Sequence, residues 1–405
     1  MNFNFRSKIK NPTPKGCWVL FYRGSERIRT AVDAFAEHCL AARPRNLLKW
    51  SANLIIILIL LSKFTTMIID LRSDTVTLPC EKMKEAMFNA NVGDDVFGED
   101  ESINHLEKLG AEMFGKEAAI YCPSGTMTNQ IGIKLHTNAP GEVICDEASH
   151  IYKYEGGGIG FNSGLASKLL KGDRGRLTAE MIEAAISPDD VHAPETQLVS
   201  LENTCNKGGG SIYEIEELKK IRTLCTNKNL KLHLDGARIF NALVEADYTA
   251  KDIGNQFDTI SICLSKGLGA PVGSLLLGNK EDIKKARRIR KLFGGGMRQA
   301  GFIAAAGTYA LNHNINRLKE DHQRAKQLEN VLQQLSYVKN VLPVDTNIVV
   351  FEVTDNHNHQ TIIEKLVAKN LKCVAFGPQL IRLVTHLNFT DDMLTETISI
   401  LKGLE

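Results

Sequence analysis

Short apolar runs alternate with amphipathic segments from residue 67 onward, and this alternation predicts an α/β fold. Near-continuous apolar runs predict strands at 118–121, 142–146, 197–202, 231–235 and 259–264. Helical spacing predicts helices at 127–136 and 212–225. Short apolar strands between helices are typical of a mainly parallel sheet that is covered on both faces. Ligands of such sheets bind outside the carboxyl ends of the strands, so we expect the chemistry there.

The pattern changes near residue 314. A long amphipathic helix is predicted at 315–335, and shorter elements follow it. They are a strand at 347–353, a helix at 361–369, a strand at 380–386 and a helix at 391–401. This order predicts a small α+β domain, residues 314–405, beside a large domain of residues 67–313.

Residues 1–66 differ from the rest of the chain. They are basic and irregular as far as residue 45, and an apolar run follows at 54–61. That run is too short to cross a bilayer, which needs about 20 apolar residues. Met67 could be the true first residue, with the upstream segment a mis-assigned extension. A native tail and a targeting or anchoring segment are the alternatives.

Composition excludes several classes of partner. The 49 Lys and Arg residues nearly balance the 47 Asp and Glu residues, so a polyanionic partner is not expected. The basic run 284–291 has no interleaved aromatic residues that could stack on bases, and a solvated helix face explains it better than nucleic-acid binding. The nine cysteines show no CxxC pair and no metal-ligand spacing. They favour a reducing compartment, the cytoplasm, and no metal.

Two charged residues stand at the ends of successive predicted strands. Asp235 ends the strand 231–235, and Lys266 follows the strand 259–264 in a turn that contains Gly267 and Gly269. Taken singly, Asp235 could cap the next helix and Lys266 could reach solvent. Taken together, they match an acid that keeps a pyridine nitrogen protonated and a lysine that binds an aldehyde as a Schiff base. The pair predicts pyridoxal 5'-phosphate (PLP) as the cofactor.

The turn Ser124-Gly125-Thr126 joins a predicted strand to a predicted helix. Small residues at such a turn leave backbone N–H groups and the helix dipole free to bind an anion. Alone this is a weak signal, but beside Lys266 and Asp235 it supplies a phosphate site.

Residues 67–405 resemble the low-specificity L-threonine aldolases, which are PLP enzymes of the aspartate-aminotransferase fold, fold type I. Seven stretches carry the resemblance: 70–77 (DLRSDTVT), 92–98 (VGDDVFG), 200–204 (SLENT), 235–241 (DGARIFN), 264–269 (LSKGLG), 294–299 (GGGMRQ) and 381–386 (IRLVTH). The resemblance implies a large domain with a mainly parallel, seven-stranded type of sheet and a small C-terminal α+β domain.

The resemblance also implies roles for residues around the cofactor. Lys266 would form the Schiff base, Asp235 would pair with the ring nitrogen, and Gly125 and Thr126 would hold the phosphate. Arg238 would contact the phenolic oxygen of the cofactor.

The substrate and the neighbouring subunit have implied contacts as well. Ser73, Arg238 and Arg382 would bind the substrate carboxylate, which suits the planar fork of an arginine. Lys291 and Arg298 would reach the phosphate of a neighbouring subunit. The chain is therefore expected to form a homo-oligomer, a dimer or a tetramer with shared active sites, with a small amino acid as its substrate.

Two histidines are candidate bases. His150 would stack on the cofactor ring and is the first candidate to take the proton of the β-hydroxyl group, and His192 is the second. Each histidine taken alone is more often structural than catalytic, and the resemblance favours His150.

The expected reaction is cleavage of L-threonine or L-allo-threonine to glycine and acetaldehyde. The alternative is PLP-dependent β-elimination from an aromatic or sulfur amino acid. Two positions depart from the family pattern: Phe97 replaces a tyrosine, and Cys205 replaces a histidine. Both concern the polar lining near the substrate side chain and leave the lysine chemistry untouched.

Overall fold

A computed structural model describes residues 67–404, and the hypotheses about residues 1–66 lie outside that range. The strands are β1 (Ile69–Asp70), β2 (Ala118–Cys122), β3 (Gly141–Asp146), β4 (Leu165–Leu170), β5 (Thr196–Glu202), β6 (Lys231–Gly236), β7 (Thr259–Cys263), β8 (Ser274–Gly278), β9 (Val338–Val341), β10 (Ile348–Val353), β11 (Leu371–Lys372), β12 (Val374–Gly377) and β13 (Leu380–Val384).

The α-helices are α1 (Glu81–Phe88), α2 (Glu101–Met113), α3 (Gly125–Leu135), α4 (His150–Lys153), α5 (Gly158–Ser163), α6 (Ala179–Ala185), α7 (Ile215–Asn227), α8 (Ile239–Leu243), α9 (Ala250–Gln256), α10 (Lys280–Leu292), α11 (Gly301–His313), α12 (Leu318–Leu332), α13 (His359–Ala368) and α14 (Asp391–Lys402). Short 3₁₀ turns lie at Asp74–Val76 and Asp95–Phe97. None of the helices between residues 67 and 404 combines the length with the apolar character that a membrane crossing needs.

A seven-stranded sheet in the order β2-β8-β7-β6-β5-β3-β4 forms the centre of the fold. The strands β4, β3, β5, β6 and β7 are parallel, whereas β8 runs antiparallel to both of its neighbours. Every residue of β3, β7 and β8 is buried. Helices on both faces exclude water from these strands, which explains their continuous apolar runs. The prediction of a mainly parallel sheet is confirmed.

The five strands predicted for this sheet are present, and their ends lie within one residue of the predicted ends. The sequence analysis missed β8, which is fully buried, and β4. The first residue of β4 is buried, but the other five are only partly buried or exposed. An edge strand of this kind lacks both the alternation and the continuous apolar run that mark a strand in sequence.

A second core lies around the antiparallel sheet β12-β13-β10-β9. The helices α12, α13 and α14 contribute to it, and so do Ile69 and Leu71 from the beginning of the described chain. The strand β1 pairs in parallel with β11, which brings residues 69–70 beside residues 371–372. The segment that follows β1 therefore runs from the second core toward the carboxyl ends of the large sheet.

The helix α3 packs unusually closely on the sheet. A Cβ atom at Gly132 would lie 2.6 Å from Cε1 and 2.7 Å from Nδ1 of His233, a fully buried residue of β6. The His233 ring cannot move aside freely, because it is hydrogen-bonded to Thr259 at 2.9 Å and to Asn129 at 3.2 Å. This close approach fixes the position of α3, whose first turn lies at the carboxyl edge of the sheet.

We expect Gly132→Ala to lower the free energy of unfolding by about 1–3 kcal/mol, because overpacking displaces α3 or the His233 ring. Urea-induced unfolding measures the change. Gly160→Ala in α5 is the matched control: Gly160 is exposed, and the nearest atom to its added Cβ lies 3.9 Å away. That variant should be unchanged or slightly more stable. Equal midpoints for Gly132→Ala and the wild type would contradict this account of the packing.

Candidate active site

The charged residues singled out from the sequence meet at the carboxyl ends of β5, β6 and β7. Glu202 and Asp235 are register partners on adjacent parallel strands, and Lys266 lies in the turn that follows β7. Lys266 is partly buried, and its positive charge lowers the pKa of Asp74 and opposes the burial that raises the pKa of Cys263. The lysine therefore faces the interior of this edge rather than bulk solvent.

Asp235 is a buried carboxylate with no ion-pair partner from a lysine or arginine in residues 67–404. It is 2% exposed, and it accepts hydrogen bonds from Nδ2 of Asn129 at 2.9 Å and from the backbone N–H of Ala237 at 3.1 Å. A buried charge that lacks a counter-ion is costly. Asp235 is therefore positioned to receive a cationic group, such as a protonated pyridine nitrogen, from a bound molecule.

His150 stands beside this carboxylate. Its Nδ1 lies 3.0 Å from Oε1 of Glu155, which is fully buried and also accepts hydrogen bonds from Asn129 and Gln130. Burial alone would lower the pKa of His150, but the hydrogen bond to Glu155 and the nearby carboxylates together raise it. Glu155 thus sets both the orientation of the imidazole and its affinity for a proton.

Glu202 is a third buried carboxyl group at this edge. It accepts hydrogen bonds from the backbone N–H groups of His150 and Asn206, each at 2.8 Å. Burial, together with the negative charge of Asp235, raises the pKa of Glu202 to about 7. Through these two hydrogen bonds the Glu202 carboxyl group connects the segment that carries His150 to the loop that follows β5.

Ligand atoms of His150, Glu155 and Asp235 all lie within 4.8 Å of one another, a spacing that a metal site could use. Hydrogen bonding accounts for the cluster, because the Nδ2 group of Asn129 donates to both Glu155 and Asp235. The N–H donor between the two carboxylates occupies oxygen lone pairs that a metal ion would need as ligands, whereas a protonated ring nitrogen needs only one acceptor. The donor set thus suits an organic cation better than a metal ion.

Arg238 is already engaged inside the chain. It is 7% exposed, and it donates through Nε at 2.8 Å and Nη2 at 2.6 Å to the two oxygens of Asp74, which is fully buried. The pair outweighs the cost of burial and holds the pKa of Asp74 well below its usual range. Nη1 of Arg238 forms no hydrogen bond within residues 67–404 and remains for a ligand. Ser73, the residue before Asp74, caps the adjoining 3₁₀ turn through its hydroxyl.

Arg382, in contrast, has no carboxylate partner in the described chain. It donates to Oδ1 of Asn206 and to the backbone oxygen of Arg72, both at 2.9 Å, and its buried Nε has no acceptor. Burial, together with the neighbouring charge of Arg238, lowers the pKa of Arg382 to about 10. A half-buried guanidinium with unused donors is suited to bind a carboxylate of a ligand.

The first turn of α3 offers an anion site. Ser124 caps the helix through its hydroxyl, which accepts from the N–H of Met127. No hydrogen bond within residues 67–404 uses the N–H groups of Gly125 and Thr126. A Cβ at Gly125 would lie 2.6 Å from Sγ of Cys263, so only glycine permits this approach of α3 to β7. Free N–H groups at a helix N-terminus fit a phosphate.

Three of the predicted site residues do not reach this edge within one chain. His192 precedes the amino end of β5, is 90% exposed and is hydrogen-bonded to Asp190. Lys291 is exposed, and Arg298 is ion-paired with Asp94 on the surface. From the sequence, Lys291 and Arg298 are expected to act at a neighbouring subunit, and within one chain the position of His192 does not suit its predicted role as a base.

The sequence analysis gave no role to several residues that organise the site. They are Asp74, Asn129, Glu155, Glu202 and Asn206. Asp74 and Glu202 lie within stretches that carried the family resemblance, which was a usable signal. Nothing in the sequence around Asn129 distinguishes it from a polar residue on a solvent-exposed helix face.

The fold and the site define an α/β enzyme of the aspartate-aminotransferase fold, with a lysine at the carboxyl edge of its sheet. The model of the beta-eliminating lyase family matches residues 70–356, and the low specificity L-threonine aldolase of Escherichia coli (strain K12) is 43% identical over 329 residues. The alignment spans 81% of this chain and 96% of that protein. The chain belongs to the beta-eliminating lyase family, among its low-specificity L-threonine aldolases, and is a lyase.

Two further comparisons agree with this assignment. A probable low-specificity L-threonine aldolase of Arabidopsis thaliana is 46% identical over 293 residues, which span 71% of this chain and 82% of that protein. The structure of a Leishmania major threonine aldolase matches with a TM-score of 0.72 at 22% identity, covering 83% of this chain and 99% of that chain. At that identity the structural match supports the fold alone.

We expect Asp74→Asn to lower the free energy of unfolding by about 3–5 kcal/mol, because it leaves the Arg238 guanidinium buried without a counter-ion. Asp70→Asn is the control: it breaks a surface pair with Arg72, whose side chain is 47% exposed, and should cost at most about 1 kcal/mol. Chemical unfolding of both variants measures the difference. Similar losses of unfolding free energy in the two variants would show that the Asp74–Arg238 pair contributes no more to stability than the surface pair.

Proposed function

We propose that the chain cleaves L-threonine, L-allo-threonine and related β-hydroxy-α-amino acids between Cα and Cβ, giving glycine and an aldehyde, acetaldehyde in the case of threonine. The observation that carries the proposal is the His150 imidazole, oriented by Glu155 at 3.0 Å beside the strand ends. Cleavage of this bond requires a base at the β-hydroxyl group, and an imidazole with a fixed orientation suits that task. The aldolase names of the relatives support the same reaction.

Pyridoxal 5'-phosphate is the cofactor that these residues fit. Asp235 would pair with its ring nitrogen, Lys266 would hold it covalently, and the N–H groups of Gly125 and Thr126 would bind its phosphate. His150 would lie against its ring. When bound, the cofactor withdraws electrons from the bonds at the substrate Cα.

Arg382 would bind the α-carboxylate of the substrate. Its unused donors face no acceptor within the described chain, and Asn206 and the carbonyl of Arg72 hold the guanidinium in place. The free Nη1 of Arg238 would be an additional donor, and so would the hydroxyl of Ser73 once it leaves its 3.4 Å hydrogen bond to Asp74. A carboxylate fixed at one point limits rotation about Cα, and this positioning decides which bond at Cα breaks.

His150 would accept the β-hydroxyl proton as the bond breaks. The carboxylate of Glu155 stabilises the protonated imidazole that results, because the two groups share a hydrogen bond away from bulk water. His192 and a water molecule are the other candidate bases. His192 can take this role only if a second subunit brings it to the site.

The assembly we propose is a homo-oligomer, a dimer or a tetramer in which Lys291 and Arg298 reach the cofactor phosphate of a neighbour. The last turn of α10, which carries Lys291, and the segment after it, which carries Arg298, lie beside exposed apolar side chains of Val96, Phe97 and Leu292, of which the last two are more than 70% exposed. Apolar residues at such exposure favour burial against another chain. We propose a cytoplasmic location, which suits the free cysteines of residues 67–404.

We expect Lys266→Ala to abolish both the visible absorption of lysine-bound PLP and the release of acetaldehyde from L-threonine. The amine is the only group proposed to join the cofactor covalently. Spectra of the purified protein with PLP, together with assays of acetaldehyde and glycine, measure both. Lys285→Ala, an exposed position of α10, is the control and should retain them. Ammonia and a keto acid as the wild-type products would identify a β-eliminating enzyme instead.

The acidic limb of the pH profile identifies the base. His150 must be unprotonated to act, and its pKa is raised, so kcat/KM for threonine should fall as the pH drops through that pKa. Glu155→Gln removes the carboxylate that raises the pKa, and the limb should move to lower pH. Asp190→Asn, beside His192, should leave the limb unmoved. A limb that moves only in Asp190→Asn would identify His192, and one that moves in neither variant would leave water as the base.

A further inference from the structure

A second unpaired cation stands beside the proposed carboxylate site. Lys207 follows Asn206, the residue that holds the Arg382 guanidinium. Lys207 is half-buried, and its Nζ donates to the backbone oxygen of Phe376 at 2.6 Å. No carboxylate of residues 67–404 forms an ion pair with it. The lysine thus has one neutral acceptor and an uncompensated charge.

The two cations contact one aromatic ring. Nζ of Lys207 lies 3.8 Å from the ring centroid of Phe376, and Cζ of Arg382 lies 4.9 Å from the same centroid. Cation–π contacts offset only part of the repulsion between like charges that are partly removed from water. The arrangement favours a ligand that brings negative charge to both.

Tyr154 connects Lys207 to the proposed base. Its ring centroid lies 6.0 Å from Nζ of Lys207 and 5.5 Å from the ring centroid of His150. Phe376 therefore links the lysine to the group that would bind the α-carboxylate, and Tyr154 links it to the group that would act at the β-hydroxyl. A substituent on Cβ of a substrate held between Arg382 and His150 would project into this space.

The α-carboxylate of any amino-acid substrate would occupy Arg382 and would leave Lys207 unpaired. We infer that Lys207 selects β-hydroxy amino acids that carry a carboxylate on Cβ, with 3-hydroxyaspartate as the simplest member. The inference rests on the proposed function and extends its substrate class. Cleavage of the Cα–Cβ bond of 3-hydroxyaspartate gives glycine and glyoxylate: the β-hydroxyl proton leaves, the β-carbon becomes the aldehyde carbon, and Cα gains a proton. No oxidant or further reactant is required.

The test compares two substrates on the PLP-loaded enzyme, with acetaldehyde and glyoxylate as the measured products. The wild type should cleave both L-threonine and L-3-hydroxyaspartate, the latter supplied as each diastereomer. Lys207→Met keeps the length of the side chain and removes its charge. It should lower kcat/KM for 3-hydroxyaspartate by about 10- to 100-fold, the value of one charged hydrogen bond, mainly through KM. The value for threonine should stay within about twofold.

Two further variants show whether the effect comes from a direct contact between Lys207 and the substrate. The alternatives are the overall positive charge near the site and the packing of the Lys207 side chain. Lys207→Arg should restore most of the activity on 3-hydroxyaspartate. Lys153→Met removes an exposed charge next to the His150 segment and should leave the ratio of the two substrates unchanged. If Lys153→Met changed the ratio as much as Lys207→Met does, the preference for 3-hydroxyaspartate would come from the overall electrostatic potential near the site. That result would overturn the inference.

Other outcomes also overturn it. Equal losses on both substrates in Lys207→Met would make the lysine a structural link between Phe376 and the loop after β5. A wild type that cleaves threonine but not 3-hydroxyaspartate would reject the selection by Lys207 and leave the proposed function intact. A wild type that cleaves neither substrate would reject the proposed function itself.

Discussion

The site depends on a buried carboxylate that the chain does not neutralise. Asp235 is nearly inaccessible, and Glu155 and Glu202 add two more buried carboxyl groups around the imidazole of His150. Amide and backbone N–H donors hold these groups in place but supply no positive charge. Such an arrangement costs stability in the empty protein and favours any bound molecule that brings a cation. Binding of a cationic group at Asp235 would therefore be linked to folding through electrostatics.

The beginning of the described chain links the two cores at this point. Ile69 and Leu71 pack in the second core, and three residues later Asp74 forms its ion pair with Arg238 at the end of β6. Arg382, on β13 of the small sheet, donates to the backbone of Arg72 in the same segment. One short stretch thus contacts both Arg238, at the end of β6, and Arg382, on the small sheet.

The strands of the large sheet could be predicted from sequence because burial on both faces produces continuous apolar runs. Once the strands were predicted, Asp235 and Lys266 could be placed near each other, because the carboxyl ends of parallel strands meet at one edge of the sheet. Asn129 could not be found in this way, because its importance arises from the packing of α3 on β6, which no local pattern encodes. The role of His192 could not be predicted from the sequence for a different reason. Within one chain it does not lie at the strand ends, and sequence similarity does not show at which subunit's site a side chain acts.

Apart from Lys266 and the Arg238–Asp74 pair, the charged side chains of the site are segregated by sign. Asp235, Glu155 and Glu202 lie at the ends of the sheet strands and in the segments beside them, whereas Arg382 and Lys207 lie toward the small sheet around Phe376. Under the proposed function, a zwitterionic substrate gains from both sides only when its carboxylate faces the arginine and its ammonium group faces the carboxylates at the strand ends. The reverse orientation would place like charges together in a partly dehydrated space, where repulsion is strong. A single binding orientation would then follow from the proposed charge distribution, before any contact with the side chain on Cβ.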